Sequence, residues 1–510
     1  MRAATLVLLF LCSACGALGA KILAVLPVAS PSHGIWNRAF LEALAERGHH
    51  VTALSANPMP KHRNVRHISI ENGYEGADDV PFADIAALDS IGNTVFVYEW
   101  VFQACRQTIM ANGTKEAILD TNESYDLIIY ESMGLDCFLG VLHKFAGTPT
   151  VAVSAYGVSV WTCHTMKMWC PPSAIPVDWL PVPLEMGFWH RVHNYLLSKI
   201  IDLAFFWYHT PRQQAVAEQH FGPLPPIRTL DKFDLFLANS GPAGVDHPRH
   251  LPPNVKEVGC VQCRKGKPLD KDIQDFLDGA TNGFIYLSFG TNIKSKLLPK
   301  TMIDTILKVF GELDVRVLWK FEDDKLAGKS SNVMINKWLS QQDVLAHKNC
   351  RLFISHGGRL STQEAIYHGT PLLIIPFFAD QYINGQKTVE KGTGLKLHYP
   401  DVNDISLKKA VDTILGDKTF AEKAKKLSAI AQDVPESPLE SAVFWTEYVI
   451  RHKGAKHLQP AGADLHWFQL YSLDVLTFLE MCAWAVIIIA IVAFRAAFKK
   501  VRGTKKIKSN

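Results

Sequence analysis

Low-complexity tracts and fibrous repeats are absent from this 510-residue chain, which leaves an ordinary globular composition. Excess charge of one sign is also scarce. The 53 Lys and Arg against 49 Asp and Glu leave +4, much of it in the last residues, which excludes a basic nucleic-acid surface. Cysteine is thinly spread: Cys105, Cys137, Cys163, Cys170, Cys260, Cys263 and Cys350 of the main body form an odd set with no dense disulfide framework. Cys163 and Cys170 are close enough to pair. Cys260-x-x-Cys263 has redox spacing but follows a proline-rich connection, so a structural or free role is expected. No Walker, G-x-G-x-x-G, zincin or nucleophile-elbow pattern occurs. Asp270-Lys-Asp272 has a metal-binding spacing, yet it opens a polar helix and reads as capping; no metal is expected there.

What the chain does contain is organised around FISHGGRLSTQEAIYHGTPLLIIPFFADQYINGQ, residues 353–386. An apolar run to Ser355 predicts a buried strand. Gly357 and Gly358 allow a tight turn and close approach of a ligand to the main chain. Ser361 and Thr362 are N-cap types for a helix over 363–368, closed by Gly369 and Pro371. A strand feeding glycines into a helix start makes an anion site, with His356 as a ring donor at its mouth.

The two ends read as membrane topology. Met1–Ala20 pairs Arg2 with an apolar centre and small residues at 17, 19 and 20, the pattern of a secretory signal peptide. Val475–Phe494 is long enough to span a bilayer, and Arg495, Lys499, Lys500, Arg502, Lys505, Lys506 and Lys508 follow it. The positive-inside rule then puts the tail, 495–510, in the cytoplasm and the body on the other side, a type I arrangement. Lys506-Ile-Lys508-Ser-Asn resembles a dilysine retrieval signal of the endoplasmic reticulum. Under that topology Asn112-Gly-Thr and Asn122-Glu-Ser are glycosylation sequons.

Between the ends, strand and helix patterns alternate twice. Runs at 21–27, 50–55, 126–131 and 150–154 read as parallel strands, with a loop over 29–34 and a helix over 35–47. His33 falls in that loop and Glu131 ends a later strand, both at carboxyl ends where doubly wound sheets place their sites; Asp136 lies about a turn beyond. An aromatic, proline-rich segment at 159–225 leaves core, membrane surface and ligand pocket equally open. Prolines across 247–268 mark a connection, after which alternation restarts. The expected layout is an N-terminal domain at 21–252, a linker at 253–280, a second domain at 281–456, a juxtamembrane stretch at 457–474 and the span at 475–494. A ligand cleft between two such halves follows.

His356-Gly-Gly, Glu364 and Asp380-Gln381 at fixed spacing, with Trp338, Leu339 and Gln341 upstream, resemble the signature of the UDP-glycosyltransferases, and the animal, insect-type branch fits best. Any one of these residues is more often structural; the spaced set carries the likeness. It implies a GT-B fold of two Rossmann-like domains. It also implies inverting sugar transfer from a UDP-sugar, with glucose the expected sugar, to a small lipophilic acceptor. By resemblance Trp338 lies against uracil and Gln341 bonds its edge or the ribose, while Glu364 takes ribose hydroxyls. Asp380 and Gln381 hold the sugar. His356, Gly357, Gly358, Ser361 and Thr362 face the diphosphate from one side, and Ser288, Gly290 and Thr291 form a second diphosphate loop. His33 would be the general base, oriented by Glu131 or its competitor Asp136. No cofactor is implied, and a homo-oligomer is compatible. The sequence departs from relatives at Leu360-Ser361, where Asn-Gly is usual in vertebrates, and at Ser340, where proline is usual. Rival readings are transfer to a membrane lipid and a non-catalytic UDP-sugar-binding subunit.

Overall fold

A computed structural model describes residues 19–507 apart from 76–84, 87, 181, 184 and 242–247. The expected signal peptide, except its last two residues, and the end of the tail from 508 lie outside the described residues. The chain forms two compact units, one ending at Leu458 and one beginning at Gln459.

The first unit contains two parallel sheets. Strands β1 (Lys21–Leu26), β2 (His50–Ser55), β3 (Val65–Ser69), β4 (Leu127–Glu131), β5 (Thr150–Ser154), β6 (Leu235–Ala238) and β7 (Val255–Glu257) form the first, in the order 3-2-1-4-5-6-7. Strands β8 (Phe284–Ser288), β9 (Arg316–Lys320), β10 (Val333–Asn336), β11 (Cys350–Ser355), β12 (Leu372–Ile374) and β13 (Gly394–Lys396) form the second, in the order 10-9-8-11-12-13. Central strands such as LIIYE and FIYLS are buried along their whole length, because helices cover both faces. In each sheet the order reverses once, between β1 and β4 and between β8 and β11. Loops diverge at such a point and leave a crevice at the strands' carboxyl ends.

Several boundaries differ from the sequence expectation. Pro31 occupies the first helical turn, so the first helix is Pro31–Glu46 and His33 belongs to that turn rather than to a loop. The helix after β11 starts at Arg359, with Gly358 at the N-cap and left-handed Gly369 (φ +68°) at the C-cap. Ser361 and Thr362 thus sit inside the helix rather than capping it. β7 extends the first sheet past residue 252; a three-residue strand reading Val-Lys-Glu carries too little pattern to be seen in sequence. The expected linker at 253–280 therefore holds a strand, a Cys260–Cys263 disulfide and the helix Lys271–Asp278. Asp270 takes that helix's N-cap position without a side-chain bond. Helix Pro438–His452 returns to the first sheet, burying Ala442, Val443 and Val449 in one cluster with Ile22, Leu26, Trp36 and Phe40. Cys105–Cys137 and Cys163–Cys170 also pair, and Cys350 is free.

The second unit is built on helix Leu473–Ile507. Its stretch Leu473–Lys499 is long and apolar enough to cross a membrane and contains the expected span at 475–494.

Candidate active site

A cavity of about 330 Å³ opens between the two sheets, lined from the first by His33 and from the second by His356. The two switch points face each other across it. β1 feeds the turn that carries His33, and Glu131 is the last residue of β4 beside it. His33 Nδ1 lies 2.7 Å from Glu131 Oε1. One turn along the same helix, Asn37 donates to that oxygen at 3.1 Å. The carboxylate is fully buried, and its Oε2 has no protein partner.

Asp136, the other carboxylate expected near His33, is engaged elsewhere. Its Oδ2 lies 3.1 Å from His209 Nε2 and 2.5 Å from Arg228 Nη2. Burial pushes this carboxyl's pKa up, but Arg228 and then His209 pull it below the ordinary range. The turn after Glu131 still lines the cavity through Met133 and Leu135, but Asp136 opens the short helix beyond it and is held by Arg228 and His209, so sequence proximity to Glu131 misleads.

On the opposite wall, packing explains the glycines. Gly290 has φ +81°, and a Cβ there would come within 2.6 Å of the His356 ring. A Cβ on Gly358 would fall 2.4 Å from His356 Nε2. Burial, then the nearby Lys320, pushes the His356 pKa down to about 3, so at neutral pH it is an uncharged imidazole. Glu364 goes the other way, raised by burial to about 7 although Gln341 and Gln262 bond it. Gln341 Nε2 donates to Glu364 Oε2 at 2.7 Å and to Ser361 Oγ at 3.0 Å, tying the three into one polar floor. Trp338 stands at the rim with 60% of its surface exposed.

Ser288, Gly290, Thr291, Trp338, Gln341, His356, Gly358, Ser361, Glu364, Asp380 and Gln381 all line this cavity. Gly357 and Thr362 do not. The Gly357 N–H donates to Ser355 Oγ and its carbonyl accepts from Asn384, while the Thr362 hydroxyl donates to the Gly358 carbonyl one turn back. Asp380 Oδ2 accepts from Asn384 Nδ2 at 2.8 Å. Gln381 Oε1 accepts the backbone N–H groups of Phe377 and Phe378, which fixes the turn before it.

Four further residues belong to the cleft. Lys320 is buried at the carboxyl end of β9, its Nζ 2.9 Å from the Gly290 carbonyl oxygen and 2.7 Å from Glu322. Its place at a strand's carboxyl end was a usable signal. Arg359 follows the glycine turn, buried, with Nη1 donating to the Asn239 carbonyl of the first sheet's side at 3.4 Å. Ser30 and Asn292 meet across the cleft at 3.3 Å, which no local pattern foretells. Phe96, Val97, Trp100, Val101, Trp161 and Trp179 give the cavity an apolar stretch of wall. The aromatic segment therefore splits: Trp161 and Trp179 are buried at the cavity, whereas Trp189 and Trp207 face out. Asn112 and Asn122 of the two sequons are exposed.

Comparison with known proteins agrees with this geometry. Residues 20–508 match the family described as "UDP-glucoronosyl and UDP-glucosyl transferase". UDP-glucosyltransferase 2 of Dactylopius coccus is 34% identical over 488 residues, covering 92% of either chain. UDP-glucuronosyltransferase 2B18 of Macaca fascicularis is 31% identical over 509 residues, covering 94% of either. Among solved structures, a UDP-glucose:anthocyanidin 3-O-glucosyltransferase in complex with UDP aligns with TM-score 0.56 at 18% identity, over 85% of this chain and all of that one. The glycosyltransferase VinC in complex with DTDP gives 0.58 at 15% identity, with the same coverage. The fold is thus that of the GT-B glycosyltransferases, and the protein is a glycosyltransferase using a UDP-sugar: the chain belongs to the UDP-glucuronosyl and UDP-glucosyl transferase family.

Proposed function

We propose that this enzyme transfers glucose from UDP-glucose, with inversion, to a hydroxyl of a small lipophilic acceptor. The observation that carries the reading is the 2.7 Å contact between His33 Nδ1 and the buried Glu131, at the edge of a cavity shared with His356. With Nδ1 held by the carboxylate, Nε2 is the nitrogen that takes the acceptor's proton, and Glu131 stabilises the imidazolium formed. The acceptor lies against Trp161, Trp179 and Phe96, apolar surface suited to a lipophilic body.

On the donor side, uracil rests on Trp338, and Gln341 and Glu364 take the base edge and ribose hydroxyls. Asp380 and Gln381 hold the sugar. The diphosphate sits between Gly290–Thr291 and the start of helix Arg359–His368, where main-chain donors, the helix dipole and Lys320 stabilise the departing UDP without requiring a metal. The body is luminal in the endoplasmic reticulum, glycosylated at Asn112 and Asn122 and held by the span within Leu473–Lys499. Three disulfides in the body fit that oxidising compartment.

The test is His33→Ala in full-length enzyme, with UDP-glucose and UDP-glucuronate offered in parallel and products identified by mass spectrometry. Loss of transfer with UDP affinity retained supports the base; unchanged turnover removes His33 from the reaction, and product only from UDP-glucuronate overturns the choice of sugar.

A further inference from the structure

The Cys260-x-x-Cys263 turn runs from the first sheet to the donor side of the cleft. Cys260 has φ +62°, a left-handed position at which glycine is the unstrained residue. The disulfide to Cys263, and the Cys263 N–H donating to the Cys260 carbonyl at 2.9 Å, close these four residues into a tight turn. One side of the turn is fastened to the first sheet. The Cys260 N–H donates to Asn239 Oδ1 at 2.8 Å, and Val261 is buried in the cluster that holds Ile22 and Trp36. The other side grips the short helix Gln341–Leu345. Gln342 donates to the Gln262 carbonyl and accepts from the Arg264 N–H, both at 2.9 Å. Arg264 makes a two-pronged pair with Asp343, at 2.6 and 2.9 Å. The first residue of that helix is Gln341, which bonds Glu364 and Ser361. Between these anchors Gln262 is buried, 6% exposed, and its Nε2 points at Glu364 Oε1 from 3.5 Å. Its Oε1 has no hydrogen-bond partner among the described residues. An unmet buried acceptor destabilises by more than a typical bond stabilises, so the fold itself gains little from an amide here.

We propose that Gln262 is a positioning residue of the donor site: held by the Cys260–Cys263 turn, it braces Glu364 for the ribose hydroxyls of the UDP-sugar. The inference rests on the reading of Glu364 as the ribose ligand. The carboxylate's two oxygens are then held from different sides, Oε2 by Gln341 at 2.7 Å and Oε1 by Gln262, which leaves lone pairs on each for a hydroxyl. Both amides donate, and so favour the ionised form that accepts from ribose. Four other titratable or charged groups surround this carboxylate. Arg264 also favours ionisation, but its guanidinium is shared with Asp343. His368, one turn along the same helix, is pushed down to about 4 by burial and is uncharged at neutral pH. The Tyr286 hydroxyl of β8 is raised by burial and stays neutral. Gln262 is thus the part of this environment that a single substitution removes without adding or deleting a charge.

The test measures UDP binding to the full-length enzyme by calorimetry between pH 6 and pH 9, in wild type, Gln262→Leu, Cys260→Gly/Cys263→Ala and Glu364→Gln. Leucine keeps the volume and removes the amide, while Cys260→Gly keeps the left-handed backbone and opens the turn. The terminal phosphate of UDP is common to every profile, so the variants are compared with one another. In Gln262→Leu the midpoint of the acid-side fall in affinity should move up by about one pH unit, as expected for one lost bond to a carboxylate. UDP then binds about fivefold more weakly at pH 7 and near the wild-type level at pH 9, with thermal unfolding close to wild type. The disulfide-free variant should shift the same way by less. A Gln262→Leu midpoint that coincides with wild type overturns the proposal. So does a loss by the same factor at every pH together with a lower unfolding temperature, the mark of a structural role. A shift in Gln262→Leu that the disulfide-free variant lacks overturns the part given to the disulfide. If Glu364→Gln follows the wild-type profile, the ribose reading of Glu364 falls and this proposal with it. If only Gln262→Leu does so, the bracing falls and Glu364 keeps its role.

Discussion

Replacing Glu131 by Gln isolates the charge of the proposed dyad. Glutamine keeps the volume at a fully buried position and can still accept from Asn37, so what is lost is the anion beside His33. An imidazolium and a carboxylate with charge centres about 4 Å apart attract by ~4 kcal/mol at an effective dielectric of ~20. That attraction exists only while His33 carries the acceptor's proton, so it lowers the barrier rather than ground-state energy. Its loss corresponds to a fall in kcat of about a thousandfold. The assay is product formation at saturating UDP-sugar and acceptor, with UDP affinity measured separately by calorimetry. The proposed UDP site is on the opposite wall, so UDP affinity should stay within about twofold. A Glu131→Gln enzyme that retains kcat within about threefold of wild type, with UDP binding intact, would refute a dyad in which the carboxylate matters.

Asp136→Asn should behave oppositely. It breaks a buried pair with Arg228 and the contact to His209, lowering stability by about 3 kcal/mol or more in thermal unfolding while kcat of the folded fraction stays near wild type. Gly290→Ala places a methyl group against the His356 ring at a left-handed backbone position, and UDP affinity measured by calorimetry should drop at least tenfold. Glu364, raised to about 7, should give donor binding a pH dependence in its proposed role as ribose ligand. In that proposed pose ribose hydroxyls donate to the ionised carboxylate, so UDP affinity should fall about tenfold from pH 8 to pH 6, and Glu364→Gln should flatten that slope. Folding responds with the other sign. Protonation favours the folded state, so this residue's contribution to stability is present below its unfolded pKa and is lost as pH rises through about 7.

Much of this protein is local in origin and so was legible in the chain. Buried parallel strands are continuous apolar runs, and LIIYE, TVAVS and FIYLS announce themselves. The His356-Gly-Gly turn is equally local, since a left-handed glycine and a helix start are decided within a few residues. The membrane-length stretch needs only length and composition.

Tertiary structure alone decided the rest, because it depends on which strands become neighbours. β1 pairs with β4, so Glu131, 98 residues from His33, meets the ring, while Asp136, five residues beyond Glu131, turns toward Arg228. Ser361 and Thr362 look interchangeable as hydroxyl donors in sequence. A helix starting at Arg359 points one into the cleft and leaves the other bonded to its own backbone. The aromatic segment was undecidable for the same reason. Period and composition fix which side chains share a face, but only packing determines whether that face meets the core, the cavity or the outside.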